Sequence, residues 1–226
     1  MQAFQQFVQQ FRTQTFKKGE IILRQDEVPA TAYVVKEGVI KTYNITAEGE
    51  ERPISFDIKG EIFPAAWVFG KAPRTLFFYE AMVDSELFVI PRTEFQKFLK
   101  SRAEVTYEMF DHFMSYHISF QLRINALEQP KAAKKVLNTL HYLCLRFSEE
   151  VGPDLVRIQL PLTQQLLANF MGLTRETTSL ELNKLQKQKV LKMVKRHYVV
   201  NTSRLNELLD DEYDPGFSDE FTQADV

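Results

Sequence analysis

Residues 102 to about 128 carry a helical pattern too long for a single small domain to absorb, and Pro130 stops it. One apolar stripe holds Tyr107, Phe110, Met114 and Ile124. A second, beside it, holds Met109, Phe113, Tyr116, Phe120 and Leu127. A single stripe is enough to dock a helix on its own domain. Two adjoining stripes over about seven turns predict that one face packs at home and the other against a partner helix. The simplest partner is the same helix of a second subunit. Phe110, Phe113, Met114, His117, Phe120 and Ile124 are the candidate dimer interface. A wide helix buried within one large core is the alternative.

The texture before this helix is different. Residues 1–12 alternate Gln with Phe and Val and read as a short helix. From 16 to 90 the chain becomes short apolar runs: Ile21–Leu23, Ala32–Val35, Val39–Tyr43, Ile54–Phe56, Leu76–Met82 and Glu86–Ile90. Turn signals separate them at Lys18-Gly19, Glu37-Gly38, Glu48-Gly49, Lys59-Gly60 and Ala72-Pro73. Such spacing predicts an antiparallel barrel or sandwich. Lys18-Gly19-Glu20-Ile21 returns as Lys59-Gly60-Glu61-Ile62, an echo that suits a rolled sheet. A short helix follows over 93–99, with Thr93 as candidate N-cap.

Past Pro130 a helix is expected over 131–149, with Ala132, Val136, Leu137, Leu140, Leu143, Cys144 and Phe147 inward. A turn at Gly152-Pro153-Asp154 then leads to a strand, Leu155–Leu160. The chain therefore divides into residues 1–100, a sensor-like β-domain; 101–129, the pairing helix; 130–206, a helical domain; and 207–226, a tail. At 226 residues, more than one domain is the natural expectation.

Charge is segregated in the same way. Residues 1–130 hold 15 Lys/Arg against 17 Asp/Glu; 131–206 hold 13 against 5, net +8; and 207–226 hold eight acidic residues and no Lys or Arg, net −8. The basic block is the asymmetry of a segment that meets phosphates, and the acidic tail reads as disordered and solvating. No run approaches the roughly 20 apolar residues of a membrane span, so no membrane partner is expected. The N-terminus lacks a secretory pattern, which points to the cytoplasm. The lone Cys144 excludes a disulfide framework and an iron–sulfur cluster.

The segment Leu162–Val200 carries the functional signal. Thr163 caps a short helix holding Leu166, Leu167 and Ala168; Gly172 turns the chain; Thr174 caps a second helix. A helix-turn-helix needs a small residue at the helix crossing, here Ala168, and a glycine at the turn. Leu173, Leu182 and Leu185 clamp the second helix, with Thr178 where an aliphatic residue is more usual. Arg175, Glu176, Ser179 and Leu180 then face outward, where such a helix enters the major groove. Arginine grips guanine O6 and N7, glutamate accepts from cytosine N4, and serine reaches base edge or phosphate. Lys184, Lys187, Lys192, Lys195 and Arg196 point toward phosphates. Val190–Val194 and His197–Val200 alternate around Lys195-Arg196 as a β-hairpin wing.

Leu162-Thr163-Gln164-Gln165, Leu167-Ala168 with Gly172, and Thr174-Arg175-Glu176-Thr177 together resemble the winged helix-turn-helix of the CRP/FNR family of bacterial regulators. Phe16-x-Lys18-Gly19-Glu20-x-Ile22, Tyr33-x-Val35-x-x-Gly38-x-Ile40 and Gly60-Glu61-Ile62-Phe63 are similar to that family's β-roll, so the resemblance covers nearly the whole chain. It implies an α+β architecture: an N-terminal antiparallel, jelly-roll-like β-roll, a long dimerisation helix and a C-terminal winged helix-turn-helix. It also implies that Arg175 and Glu176 read bases, Ser179 meets base or backbone, and Thr163, Gln164 and Thr174 touch phosphates. The implied partners are double-stranded DNA, a second copy of the chain and, for an activator, RNA polymerase.

Two departures stand out. Many family members carry a second arginine five residues after the first, where this chain has Leu180, so one base pair of the half-site should differ. Cyclic-nucleotide binders of the family present a glutamate after the Gly60 turn, where this chain reads Phe63-Pro64-Ala65-Ala66-Trp67. The loss of that carboxylate lowers affinity for a ribose by roughly 1.5–3 kcal/mol, so cyclic AMP is not expected. Phe63, Arg74 and Thr75 remain the effector-site candidates. An apolar pocket of Phe63, Trp67, Phe69, Phe77 and Phe78, a metal or haem at His112 and His117, and a β-roll that has lost sensing stay open. The five-residue spacing of the two histidines argues against shared ligation. A cupin-type enzyme is the rival from another class. Residues 1–111 contain no histidine, which removes its metal site, and no enzymatic activity is expected. The remaining rival is an adaptor whose helix-turn-helix docks protein.

Overall fold

A computed structural model describes residues 2–101 and 103–209. Helix α1 (Gln2–Val8) leads into β1 (Thr13–Phe16), β2 (Ile21–Leu23), β3 (Ala32–Glu37), β4 (Ile40–Ile45), β5 (Glu51–Asp57) and β6 (Ile62–Phe63). The short α2 (Ala65–Val68) is followed by β7 (Phe78–Ala81), β8 (Ser85–Ile90), α3 (Arg92–Leu99) and α4 (Ala103–Glu128). Next come α5 (Ala132–Phe147), β9 (Ser148–Gly152), β10 (Leu155–Ile158), α6 (Gln164–Met171), α7 (Arg175–Lys187), β11 (Leu191–Val194), β12 (His197–Asn201) and α8 (Thr202–Leu209). Two compact units meet inside α4, between Phe113 and Met114. The expected α+β architecture is what the chain adopts.

In the first unit, sheet β1-β8-β3-β6 faces sheet β2-β7-β4-β5, with antiparallel pairing in both. Side chains alternate along β3 with the period of two that a strand imposes. Val35 turns inward with Phe16, Leu87 and Phe63 to meet Leu23, Ile40, Tyr79 and Ala81 of the opposite sheet. Ala32 and Val34 turn the other way, into a helical layer of Phe4, Val8, Trp67, Val68, Phe95 and Met109. One sheet thus has two buried faces, which accounts for the strongly apolar run Ala32–Val35.

The tetrapeptide echo is a repeated turn. Gly19 (φ 82°) and Gly60 (φ 87°) occupy the left-handed region. In each case the following glutamate folds back: Glu20 accepts from the Lys17 amide at 2.9 Å, and Glu61 from the Ile58 amide at 2.8 Å. Arg24–Glu27 repeats the device with Asp26 (φ 64°) in place of glycine and a 2.9 Å bond from the Arg24 amide to Glu27.

Several boundaries differ from the sequence reading. The first helix ends at Val8, and Thr13–Phe16 extends to pair with β8. Helix α3 starts at Arg92 with Pro91 in the cap position, so Thr93 is not the cap. Residues 148–152 form an exposed edge strand beside β10. In the second unit α5 packs against α6, α7 and α8, and the sheet runs β11-β12-β10-β9. The acidic tail was placed at 207–226; of it, 210–226 lie outside the described residues. Among those described, no helix is long and apolar enough to cross a membrane.

Candidate nucleic-acid interface

Helix α6 begins where Thr163 Oγ1 accepts from the Leu166 amide at 3.1 Å. It ends at Gly172, in the left-handed conformation (φ 65°, ψ 35°). There the Leu173 amide donates to the Ala168 carbonyl at 3.0 Å and the Gly172 amide to the Asn169 carbonyl at 3.4 Å, the bond pair of a Schellman stop. A side chain at this position would be strained by roughly 1–2 kcal/mol. Thr174 Oγ1 then accepts from the Thr177 amide at 3.1 Å and starts α7. Ala168 is fully buried, as a close helix crossing requires.

Helix α7 buries Thr178, Leu182 and Leu185, one face at steps of four and three. The Thr178 hydroxyl is buried with no hydrogen-bond partner among the described residues, a deficit of about 1–3 kcal/mol. With that face turned inward, Arg175 and Glu176 are exposed, Ser179 is half-buried and Leu180 is 53% exposed. No ion pair holds Arg175 or Glu176 among the described residues, so both are available. Lys184 is tied to Glu181 at 2.7 Å, while Lys187 is exposed with no such partner among the described residues. Thr163 is exposed and Gln164 half-buried at the start of α6. The Thr163 cap uses a lone pair and leaves the hydroxyl hydrogen for a phosphate. The Thr174 hydroxyl donates to Thr177 Oγ1 at 2.9 Å.

The hairpin of β11 and β12 pairs Val194 with His197 across a two-residue loop. Both loop residues, Lys195 (φ 47°) and Arg196 (φ 69°), are left-handed. This turn normally takes Asn-Gly, so two exposed cations occupy positions that favour other residues. Replacing them with Lys195→Asn and Arg196→Gly should raise stability to denaturant by about 1–2 kcal/mol. The same change should weaken binding to every duplex alike, with a salt slope smaller by about one or two. Unchanged DNA affinity would mean that the strain does not serve cation placement.

Arg123 was missed by sequence reasoning. Its two terminal guanidinium nitrogens each donate to the Phe170 carbonyl at 3.2 Å, and the group lies 3.5 Å from the centre of the Phe170 ring. Burial pulls its pKa down to about 10, which leaves it charged at neutral pH. It ties the second half of α4 to the end of α6. Its only sequence signal was a cation on an otherwise apolar helix face.

The helix α4 residues separate into two faces. Tyr107 (72%), Phe110 (60%), Ile124 (57%) and Met114 (39%) are exposed, and so is His117. Phe113 is half-buried and packs edge-on against Phe69 at 4.9 Å, on its own unit's helical layer. Phe120 lies edge-on to Tyr116 at 4.8 Å. Of the six candidate interface residues, those two are thus engaged at home.

The effector candidates do not converge. The Phe63 ring stacks between Tyr33 (5.4 Å) and Tyr79 (5.0 Å) inside the inter-sheet core. Arg74 is exposed, 3.8 Å from the Asp26 carboxylate, and donates to the Asp26 carbonyl at 3.0 Å. The Thr75 hydroxyl is held by Arg24 and Glu27. Trp67 and Phe69 belong to the helical layer, Phe77 to the inter-sheet core, and Phe78 stacks on Tyr43. Among the described residues no cluster of three metal-ligating side chains forms. His112 is half-buried and held below its ordinary pKa by desolvation; the Cys144 thiol is pushed up to about 12 by burial and is unreactive.

Comparison with known proteins agrees with this geometry. A cyclic nucleotide-binding domain model matches residues 13–102, and a Crp-like helix-turn-helix domain model matches residues 134–208. The fumarate and nitrate reduction regulatory protein of Vibrio cholerae is 28% identical over 200 residues, spanning 87% of this chain and 78% of its own length. The nitrogen fixation regulation protein FixK of Rhizobium meliloti is 26% identical over 177 residues, 78% of this chain and 76% of its own. The structure of FixK2 from Bradyrhizobium japonicum shares the fold with a TM-score of 0.74 at 21% identity, over 90% of this chain and 99% of that one.

Proposed function

Because this chain belongs to the CRP/FNR family of transcription regulators, we propose that it acts as a cytoplasmic homodimer that places two copies of α7 in successive major grooves of a near-palindromic site. Residues 1–100 sense, 101–129 pair the subunits, and 130–206 read DNA. The observation that carries this is the exposed start of α7, where Arg175, Glu176 and Leu180 stand clear while Thr178, Leu182 and Leu185 are buried. Arg175 and Glu176 read base edges, and Leu180 packs on a thymine methyl where a guanine contact would otherwise fall. Ser179 meets base or backbone; Thr163, Gln164, Thr174, Lys184, Lys187 and Arg196 meet phosphates. If the protein activates, RNA polymerase is its further partner.

Cyclic AMP is not the ligand of the β-roll on this reading. No carboxylate lies between Phe63 and Trp67, Phe63 is stacked into the core, and Arg74 is engaged by Asp26.

Selection of genomic fragments by the purified full chain tests the proposal. It should return an inverted repeat with half-sites about one helical turn apart. With six to ten phosphate contacts, affinity should fall roughly 10³–10⁵-fold between about 50 and 200 mM salt. An adaptor that docks protein through the same motif would show neither enrichment nor that salt dependence.

A further inference from the structure

Helix α6 stops sharply, and the last carbonyls of a helix take their donors from outside it. The amides of Leu173 and Gly172 serve the Ala168 and Asn169 carbonyls. Both terminal nitrogens of Arg123 donate to the Phe170 carbonyl at 3.2 Å, from a position 47 residues earlier in the chain. The guanidinium also lies over the Phe170 ring, which stacks on Tyr142 of α5 at 6.1 Å, and Arg123 is 7% exposed. We infer that Arg123 is a positioning residue that fixes the spacing between the two half-sites the protein recognises, by holding the helix-turn-helix at one height and one angle on α4. This rests on the homodimeric reading of DNA proposed above.

The clamp grips the body that reads DNA. Ala168 is fully buried at the helix crossing and α7 buries Thr178, Leu182 and Leu185, so what holds α6 holds α7 as well. Four residues separate Phe170 from Arg175. Asn125 to Asn138 at 3.4 Å and Arg146 over the Tyr116 ring at 5.3 Å also join this half of α4 to its surroundings, but both run to α5. The negative end of a helix dipole favours a cation. An apolar side chain of similar length would nonetheless fill the same space without desolvating a charge. What it lacks is a rigid fork of directed donors, and that is the property Arg123 uses.

Half-site spacing responds to small movements of that body. In a two-fold dimer each subunit contributes half of any change in separation. One base pair is about 3.4 Å of rise, so a slide of about 1.7 Å per subunit along the duplex is enough. The same base pair also turns one half-site by about 35° relative to the other, or about 17° for each reading unit. Hydrogen bonds of 3.2 Å do not survive displacements of that size. While Arg123 holds, a wrong spacing is met only by breaking both bonds. Without it, the short link of residues 129–131 between α4 and α5 is free to absorb the change.

Duplexes carrying the selected inverted repeat, rebuilt with one or two base pairs added or removed between the half-sites, test this with the full chain. The wild type should lose roughly tenfold or more in affinity for each base pair of change. Arg123→Met should flatten that profile to within about threefold, while a duplex with a single half-site binds as it does to the wild type. Arg123→Lys, which keeps the charge but not the fork, should fall between, and it carries the test alone should methionine disturb folding. Sedimentation should find the same dimer in all three. A folded variant with the wild-type spacing profile overturns the inference and leaves the dimeric reader standing. Loss of single half-site binding in a folded variant also overturns it, because Arg123 would then be holding the shape of the helix-turn-helix and not its position. A wild type that binds every spacing alike overturns the inference as well, whereas one that selects no inverted repeat overturns the homodimeric reading beneath it.

Discussion

Phe110→Glu combined with Ile124→Glu should yield a folded monomer whose affinity for the full inverted repeat is lower by roughly 10²–10⁴-fold. Both side chains are mostly exposed in the single chain (60% and 57%). Substitution there changes the stability of one subunit by only about 0.5 kcal/mol, and glutamate is among the good helix formers. Opposed across a seam, however, the new carboxylates would place like charges where apolar rings meet. Once the subunits part, the second half-site is no longer held at high effective concentration, and each helix-turn-helix binds alone. Sedimentation and DNA titration, run with circular dichroism, would separate this from misfolding. A variant that stays dimeric places the interface elsewhere. A monomer that keeps full-site affinity removes pairing from the mechanism.

The exposure of those two residues also shows where sequence reading is strong and where it fails. The helix-turn-helix was legible because its determinants are local: Thr163 and Thr174 cap their own helices, and Gly172 makes its own turn. The Lys-Gly-Glu echo was legible for the same reason, since Glu20 and Glu61 bond only three residues back. Strands β1 and β9 were missed because Thr13–Phe16 and Ser148–Gly152 are largely exposed and carry no apolar alternation. The two stripes on α4 were seen, but hydrophobicity does not tell a home contact from a partner contact, so Phe113 was assigned to the seam although it packs on Phe69. The effector site fared worst. Whether Phe63, Arg74 and Thr75 meet depends on contacts with Tyr33, Tyr79, Asp26 and Glu27, which no spacing along the chain encodes.

Arg175→Ala should lower affinity for the selected site by about 1–3 kcal/mol per half-site and relax preference at one base pair in each. A homodimer carries the change twice, so the full site loses roughly 10²–10⁴-fold if the halves contribute independently. Fold should be unaffected, since Arg175 is exposed and the α7 cap comes from Thr174, not from Arg175. The companion Lys187→Ala would weaken all duplexes alike, because a phosphate contact carries no base information. The discriminating quantity is thus the ratio of specific to non-specific affinity. It should collapse in Arg175→Ala and hold in Lys187→Ala. Leu180→Arg supplies the converse, a side chain able to grip guanine where the present one is apolar, and it should move preference toward guanine at its own base pair. If Arg175→Ala leaves the site preference intact, the side chains that read the bases are not those at the start of α7.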